Sequence, residues 1–187
     1  MLETGVRRAE LVLLELDDLY LGGLPTVRIR SSLSAVANCR RDGASPKTRS
    51  RTVPITVTLA RQISVYLERV RPELAQGFRL SRHLFISGKD GRRLSLTAVN
   101  HLVARLSVAA GLSEGARLHP HGLRSTAATD ARRAIDEKGV AVHAEMEESL
   151  SYFGGWAPGS RMVRRYTREA LSEKVSRNIR ARVDSDE

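Results

Sequence analysis

Two short runs of alternating side chains, Thr26-Val27-Arg28-Ile29-Arg30 and Arg51-Thr52-Val53-Pro54-Ile55, interrupt a chain whose other apolar residues recur mostly at helical spacing. A chain patterned this way is expected to be α+β and mainly helical, with a small sheet inserted into a helical body. Arg and Thr alternate with Val and Ile in both runs, so the sheet should have one basic face and one face turned to the core. A polar, Arg-rich connection links the runs.

The helical segments follow from periodicity and end signals. Val6, Leu11, Leu14 and Leu16 predict a helix over residues 3–16, ending in a turn at Asp17-Asp18. Thr56 is placed to cap a helix with Leu59, Ile63, Leu67 and Val70 on one face. Ser95 is placed to cap another, carrying Leu96, Val99, Leu102 or Val103, and Leu106, with Gly111 as its C-terminal glycine. From Pro120 the pattern predicts one helix to about Asp136, a second from about Val140 to Phe153, and a short one from Arg161 to Tyr166. Gly154-Gly155-Trp156-Ala157-Pro158-Gly159 separates the last two. Leu171, Val175, Ile179 and Val183 then form a narrow stripe on a final helix before an acidic tail. No internal repeat is present.

A length of 187 residues suits one folding unit with a sizeable core. Its 31 basic side chains exceed the 21 acidic ones, giving a formal charge of +10, and most of the basic ones are Arg. That excess points to a polyanionic partner, because the planar guanidinium grips phosphate with a fork of donors. No apolar run is long enough to span a bilayer and the first residues carry no secretory signal, so a cytoplasmic protein without a membrane partner is expected. Aromatic residues make up only 4%, few platforms for stacking unpaired bases, which favours double-stranded DNA over a single strand. The lone Cys39 rules out an internal disulfide and a cysteine-based zinc cluster.

The segment with the most chemical content is Leu118-His119-Pro120-His121-Gly122-Leu123-Arg124-Ser125-Thr126. His121 and Arg124, three apart at a helix start, share one face, which places a proton acceptor beside a phosphate clamp. Taken alone, the same spacing also suits a capping His and a solvated Arg. His119 and His121 diverge on a helix and no carboxylate or Cys completes a site, so no metal is expected. Among the tyrosines, Tyr66 falls on an apolar helix face, Tyr20 beside a turn, and Tyr152 next to Phe153 in what reads as core packing.

This segment resembles the His-x-x-Arg motif of the tyrosine recombinases, the phage integrase family. Thr4-Gly5-Val6-Arg7-Arg8-Ala9-Glu10-Leu11 is similar to the segment carrying that family's first catalytic arginine, which corresponds to Arg7, with Glu10 as its supporting acid. Pro46-Lys47-Thr48-Arg49-Ser50-Arg51-Thr52-Val53-Pro54 resembles the loop and strand of the catalytic lysine, corresponding to Lys47. Phe153-Gly154-Gly155-Trp156 followed by Arg164-Arg165-Tyr166-Thr167 resembles the final segment, where His or Trp precedes the nucleophilic Tyr; Trp156 and Tyr166 occupy those positions. Trp156 and Tyr166 are ten apart, one more than is common, and Ser125 stands where a second His often follows the arginine.

The resemblance implies a catalytic domain with a small antiparallel three-stranded sheet over residues 1–169, and a C-terminal helix and acidic tail over 170–187. It further implies that the family's N-terminal core-binding domain lies outside this sequence. The implied activity is cleavage and rejoining of duplex DNA through a 3′-phosphotyrosyl bond, without metal or other cofactor. Arg7 and Arg124 would hold the non-bridging oxygens, His121 would accept a proton, Lys47 would protonate the leaving 5′ oxygen, and Trp156 would donate its indole N–H. Arg49, Arg51, Arg161 and Arg165 are the expected DNA-binding residues, drawn from a larger set that includes Arg28, Arg30, Arg132 and Arg133. Assembly as a homo-oligomer, a tetramer on DNA, is implied as well, and the final apolar stripe could pack on its own body or dock into a neighbouring subunit. The alternatives are a remnant that binds DNA without cutting it, and a topoisomerase of type IB, which shares the tyrosine mechanism.

Overall fold

The computed structural model describes residues 1–30, 49–78, 81–137 and 143–185. The first helix, α1, is Arg8–Leu13, shorter than periodicity predicts. Gly5, at φ 56°, turns the chain immediately before it, and no helix continues through a residue in the left-handed region. That turn is tight, since a Cβ on Gly5 would meet Phe153 Cε1 at 2.8 Å. Glu10 caps α1 by accepting the Arg7 backbone N–H at 2.8 Å.

A 3₁₀ turn at Leu16–Asp18 leads into β1 (Leu19–Tyr20), followed by β2 (Thr26–Ile29) and β3 (Arg51–Pro54). They form an antiparallel sheet in the order β1-β2-β3, with Val27 opposite Val53 and Ile29 opposite Arg51. β1 is too short to show an alternation, which is why only the family resemblance implied a third strand. Val27, Ile29 and Val53 point into a core with Val6, Leu14, Ile55, Ala60 and Leu84, against which Phe153 packs. The basic outer face is largely neutralised: Asp18 accepts from Arg28 at 3.1 Å and from Arg30 at 2.6 Å, and Glu15 pairs with Arg30 at 2.9 Å.

Thr56 caps α2 (Val57–Val65) through its hydroxyl, which accepts the Leu59 N–H at 3.1 Å. A π-helical turn at Tyr66–Val70 joins α2 to α3 (Arg71–Ala75). Arg71 is buried and donates to the carbonyls of Ser81, His83 and Leu84, tying α3 to the segment before α4. Ser95 caps α4 (Leu96–Ala109), accepting the Ala98 N–H at 3.0 Å, and Gly111 follows with φ 72°. Val99 and Val103 bury against Val12 of α1. Of the two alternatives Leu102 and Val103, Val103 is the buried one, whereas Leu106, also expected on the packed face, is exposed, so the apolar contact of α4 is narrower than its sequence suggests.

α5 (Pro120–Glu137), α6 (His143–Gly154) and α7 (Met162–Ser185) make the second half. Ala128, Met146, Leu150, Trp156, Val163 and Tyr166 fill the space between them. The short helix and the final helix predicted from sequence are one continuous rod, because no Gly or Pro follows Pro158-Gly159 to break it. The domain division expected after Glu169 therefore falls inside α7, next to the buried Ala170. Of the apolar stripe, Leu171 is 47% and Val175 48% exposed, so these two residues do not pack on the body. Tyr152 corrects a second expectation: its ring is exposed, and its hydroxyl reaches across to β3, accepting the Thr52 N–H at 3.2 Å.

Candidate active site

Pro120 opens α5 at a position where its missing N–H is harmless, which fixes His121 and Arg124 on the first turn. Arg124 points inward. Its guanidinium donates to the carbonyl of Gly5, in the turn before α1, and to that of Gly154 at 2.8 Å, at the end of α6. One side chain thus bolts three parts of the chain together. Its carbon Cζ lies 5.2 Å from the ring centre of Trp156 and 5.6 Å from that of Tyr166. Burial pushes the Arg124 pKa down to about 10, and the neighbouring Arg7 cation adds to that shift.

Tyr166 lies on the inner face of α7, its backbone carbonyl held by the Thr129 hydroxyl at 3.2 Å. Its phenol oxygen is 3.5 Å from Nε2 of His121. The Tyr166 ring stacks on Trp156 with centroids 5.2 Å apart and planes 16° from parallel. Trp156 takes this position because Gly154 has no side chain: a Cβ there would come within 2.5 Å of the indole. The chain folds back at this point through the backbone N–H of Trp156, which donates to the Ser151 carbonyl at 2.8 Å.

Arg7 enters from the opposite side as the N-cap residue of α1. Its Nη1 is 3.6 Å from Glu10 Oε1, and burial lowers its pKa against the opposing effect of Glu10. Arg7 Nη1, Arg124 Nε and Trp156 Nε1 are buried donors with no hydrogen-bond partner among the described residues. Such donors are costly unless an acceptor meets them, about 1–3 kcal/mol each. Three of them lie beside one phenol, an arrangement able to receive an oxyanion. A cleft of about 670 Å³ opens onto this corner, lined by Arg7, Arg8, Asn100, His101, His119, His121 and Arg124.

The structure therefore brings together Arg7, Glu10, His121, Arg124, Trp156 and Tyr166. Lys47 lies outside the described residues. Arg49, Arg161 and Arg165 are exposed, and the Arg49 N–H bonds the Gly155 carbonyl at 3.1 Å, beside the Trp156 turn. Arg51 differs from its expected place on the DNA surface. It is opposite Ile29 on the inward face of β3, buried, and paired with Glu10 at 3.0 Å, so its guanidinium faces the core rather than a phosphate outside. Arg132 and Arg133, in the wider set expected to meet DNA, are engaged by Asp136 and Glu173. The acceptors at Gly5 and Gly154 escaped sequence reading because backbone carbonyls carry no residue-type signal.

The site thus holds a buried tyrosine 3.5 Å from a histidine ring nitrogen, beside two guanidiniums and an indole N–H. The profile of the phage integrase family matches residues 1–173, and the chain belongs to that family. Its fold is that of solved tyrosine recombinases. The XerA recombinase superposes with a TM-score of 0.66 at 22% identity, over 95% of this chain and 55% of its own. XerH site-specific recombinase, bound to its difH substrate in a pre-cleavage complex, gives 0.60 at 20% identity, over 94% of this chain and 42% of its own. The Tn1549 transposon integrase, in complex with transposon right end DNA, gives 0.59 at 19%, over 94% and 56%. The chain thus spans about half the length of these proteins. No curated protein sequence matches it. No helix among the described residues is long and apolar enough to cross a membrane.

Proposed function

We propose that this chain is the catalytic domain of a site-specific recombinase or integrase that cleaves and rejoins duplex DNA. The observation that carries this reading is the Tyr166 hydroxyl 3.5 Å from His121 Nε2, beside donors of Arg7, Arg124 and Trp156 that have no hydrogen-bond partner among the described residues. The phenol oxygen attacks phosphorus while His121 takes its proton. Arg7, Arg124 and the Trp156 N–H hold the charge that grows on the non-bridging oxygens. The bond to the 5′ oxygen breaks, Lys47 supplies that oxygen with a proton, and a 3′-phosphotyrosyl link remains. Attack by a 5′ hydroxyl reverses each step, so rejoining needs no cofactor.

Arg49, Arg161 and Arg165 contact phosphates flanking the scissile one, giving affinity that falls steeply with salt. The exposed Leu171 and Val175 on α7 cover themselves in a neighbouring subunit when the protein assembles on DNA. The expected place of action is the cytoplasm.

The test is incubation with a nicked suicide duplex, followed by denaturing electrophoresis. A covalent adduct with wild type and none with Tyr166→Phe supports the reading. If neither forms an adduct while both bind DNA, the chain is a DNA-gripping module.

A further inference from the structure

Glu10 is a fully buried carboxylate facing two guanidiniums, and it treats them differently. Arg51, itself 1% exposed in its side chain, grips both oxygens: Nη1 donates to Oε1 at 3.3 Å and Nη2 to Oε2 at 3.0 Å. Arg7 receives less. Its backbone N–H bonds Oε2 at 2.8 Å, but its guanidinium stays 3.6 Å from Oε1, and Nη1 has no hydrogen-bond partner among the described residues. A bidentate fork is the strongest arrangement a carboxylate can make with a guanidinium. Whichever arginine holds that fork leaves the other with donors to spare.

We propose that Arg51 is a positioning residue that occupies Glu10 and so keeps the Arg7 guanidinium free to bind the scissile phosphate. The antiparallel register fixes this role, since Arg51 stands opposite Ile29 on the inward side of β3, directed at α1 rather than at solvent. The electrostatics agree: burial, with the Arg7 and Arg51 charges, lowers the Arg124 pKa. A phosphodiester entering beside Arg7 and Arg124 relieves the repulsion between these cations. Without Arg51, Glu10 would be a buried anion with Arg7 as its nearest cation, and the pair would close into the fork that now belongs to Arg51. The catalytic arginine would then be sequestered by its own supporting acid.

The inference rests on the recombinase reading above, and its test has one arm that does not depend on cleavage. Arg51→Met is compared with wild type and with the double variant Glu10→Gln/Arg51→Met, each checked for folding by thermal unfolding and for affinity by duplex binding. With saturating suicide substrate, Arg51→Met is expected to lower single-turnover cleavage on the order of 100-fold, with affinity changed only about threefold. The double variant is expected to recover about tenfold, because a neutral amide does not capture Arg7. A merely structural Arg51 predicts no recovery, and a double variant that cleaves no faster than Arg51→Met overturns the proposal. In the second arm, ¹⁵N-arginine NMR follows the Arg7 guanidinium, assigned by Arg7→Lys. Its N–H signals should show slowed exchange in Arg51→Met and revert in the double variant; an unchanged Arg7 spectrum overturns the proposal whether or not wild type cleaves DNA. If Arg51→Met does not fold, Arg51→Lys replaces it in both arms. Lysine keeps the charge but cannot form the fork, and the same directions are required.

Discussion

Arg124 donates to the carbonyls of Gly5 and Gly154, and through that pair of bonds the turn before α1 and the end of α6 are held at a fixed separation. The residue that the sequence marks as a phosphate clamp is also the fastener of the site it serves.

Replacing Arg124 should therefore injure stability and chemistry together. Arg124→Ala removes two charge-assisted bonds and leaves buried carbonyls unpaired, at about 3–5 kcal/mol of unfolding free energy. Denaturant titration checks this. Arg124→Lys should retain more stability than Ala yet fail to cleave, since an ammonium cannot reach both carbonyls and a phosphate.

The pH dependence of the same group has a definite sign. Its folded pKa of about 10 lies below the ordinary arginine value, so the folded protein loses this proton first. Above about pH 10 the unfolded chain binds more protons, and this group's contribution to stability rises with pH. Phosphate binding moves the other way. DNA favours the cation, so affinity should fall as pH climbs through that value, measurable by fluorescence anisotropy in wild type and blunted in Arg124→Gln.

On the proposed mechanism His121 accepts the Tyr166 proton, so His121→Ala should slow adduct formation by about 10²- to 10⁴-fold while duplex affinity barely changes. Quench-flow with a suicide substrate separates the two quantities. An equal loss of affinity would count against His121 as an acceptor.

Gly154→Ala tests the stacking of Trp156 on Tyr166. The added Cβ would lie 2.5 Å from the indole, so the ring must move or the end of α6 must shift. About 1–3 kcal/mol of destabilisation is expected. Tryptophan fluorescence, which has a single reporter in this chain, should shift as well.

Leu171→Ser with Val175→Ser should leave the melting of the isolated chain within about 0.5 kcal/mol of wild type, because both residues are exposed. Assembly on DNA, followed by analytical ultracentrifugation, should fall. Unchanged assembly removes α7 as the docking element. Point substitutions are preferable to truncation after Glu169, which would also remove the buried Ala170.

Much of the site was legible because its chemistry depends on residue type. His121 and Arg124 share a helix face by spacing and stand out through their resemblance to the family's His-x-x-Arg motif, and Thr56 and Ser95 cap the helices that their positions predict. The misreadings share a cause. Arg51 looked like a DNA contact because strand alternation defines two faces without saying which one is inside. Tyr152 looked like core because it neighbours Phe153, yet adjacent helical residues diverge, and only Phe153 turns inward to meet Gly5. α1 was overextended because helical periodicity continues through a glycine that the backbone uses as a turn.

By itself, then, the sequence determined the classes of element and the excess of positive charge, written in local spacing and composition, while its resemblance to the phage integrase family supplied the candidate groups for attacking and holding a phosphodiester. Tertiary structure alone decided which arginine grips Glu10, why Trp156 lies flat on Tyr166, and which carbonyls hold Arg124. Those outcomes depend on contacts between residues as far apart as Gly5 and Arg124, where register and packing, rather than residue type, select the partner.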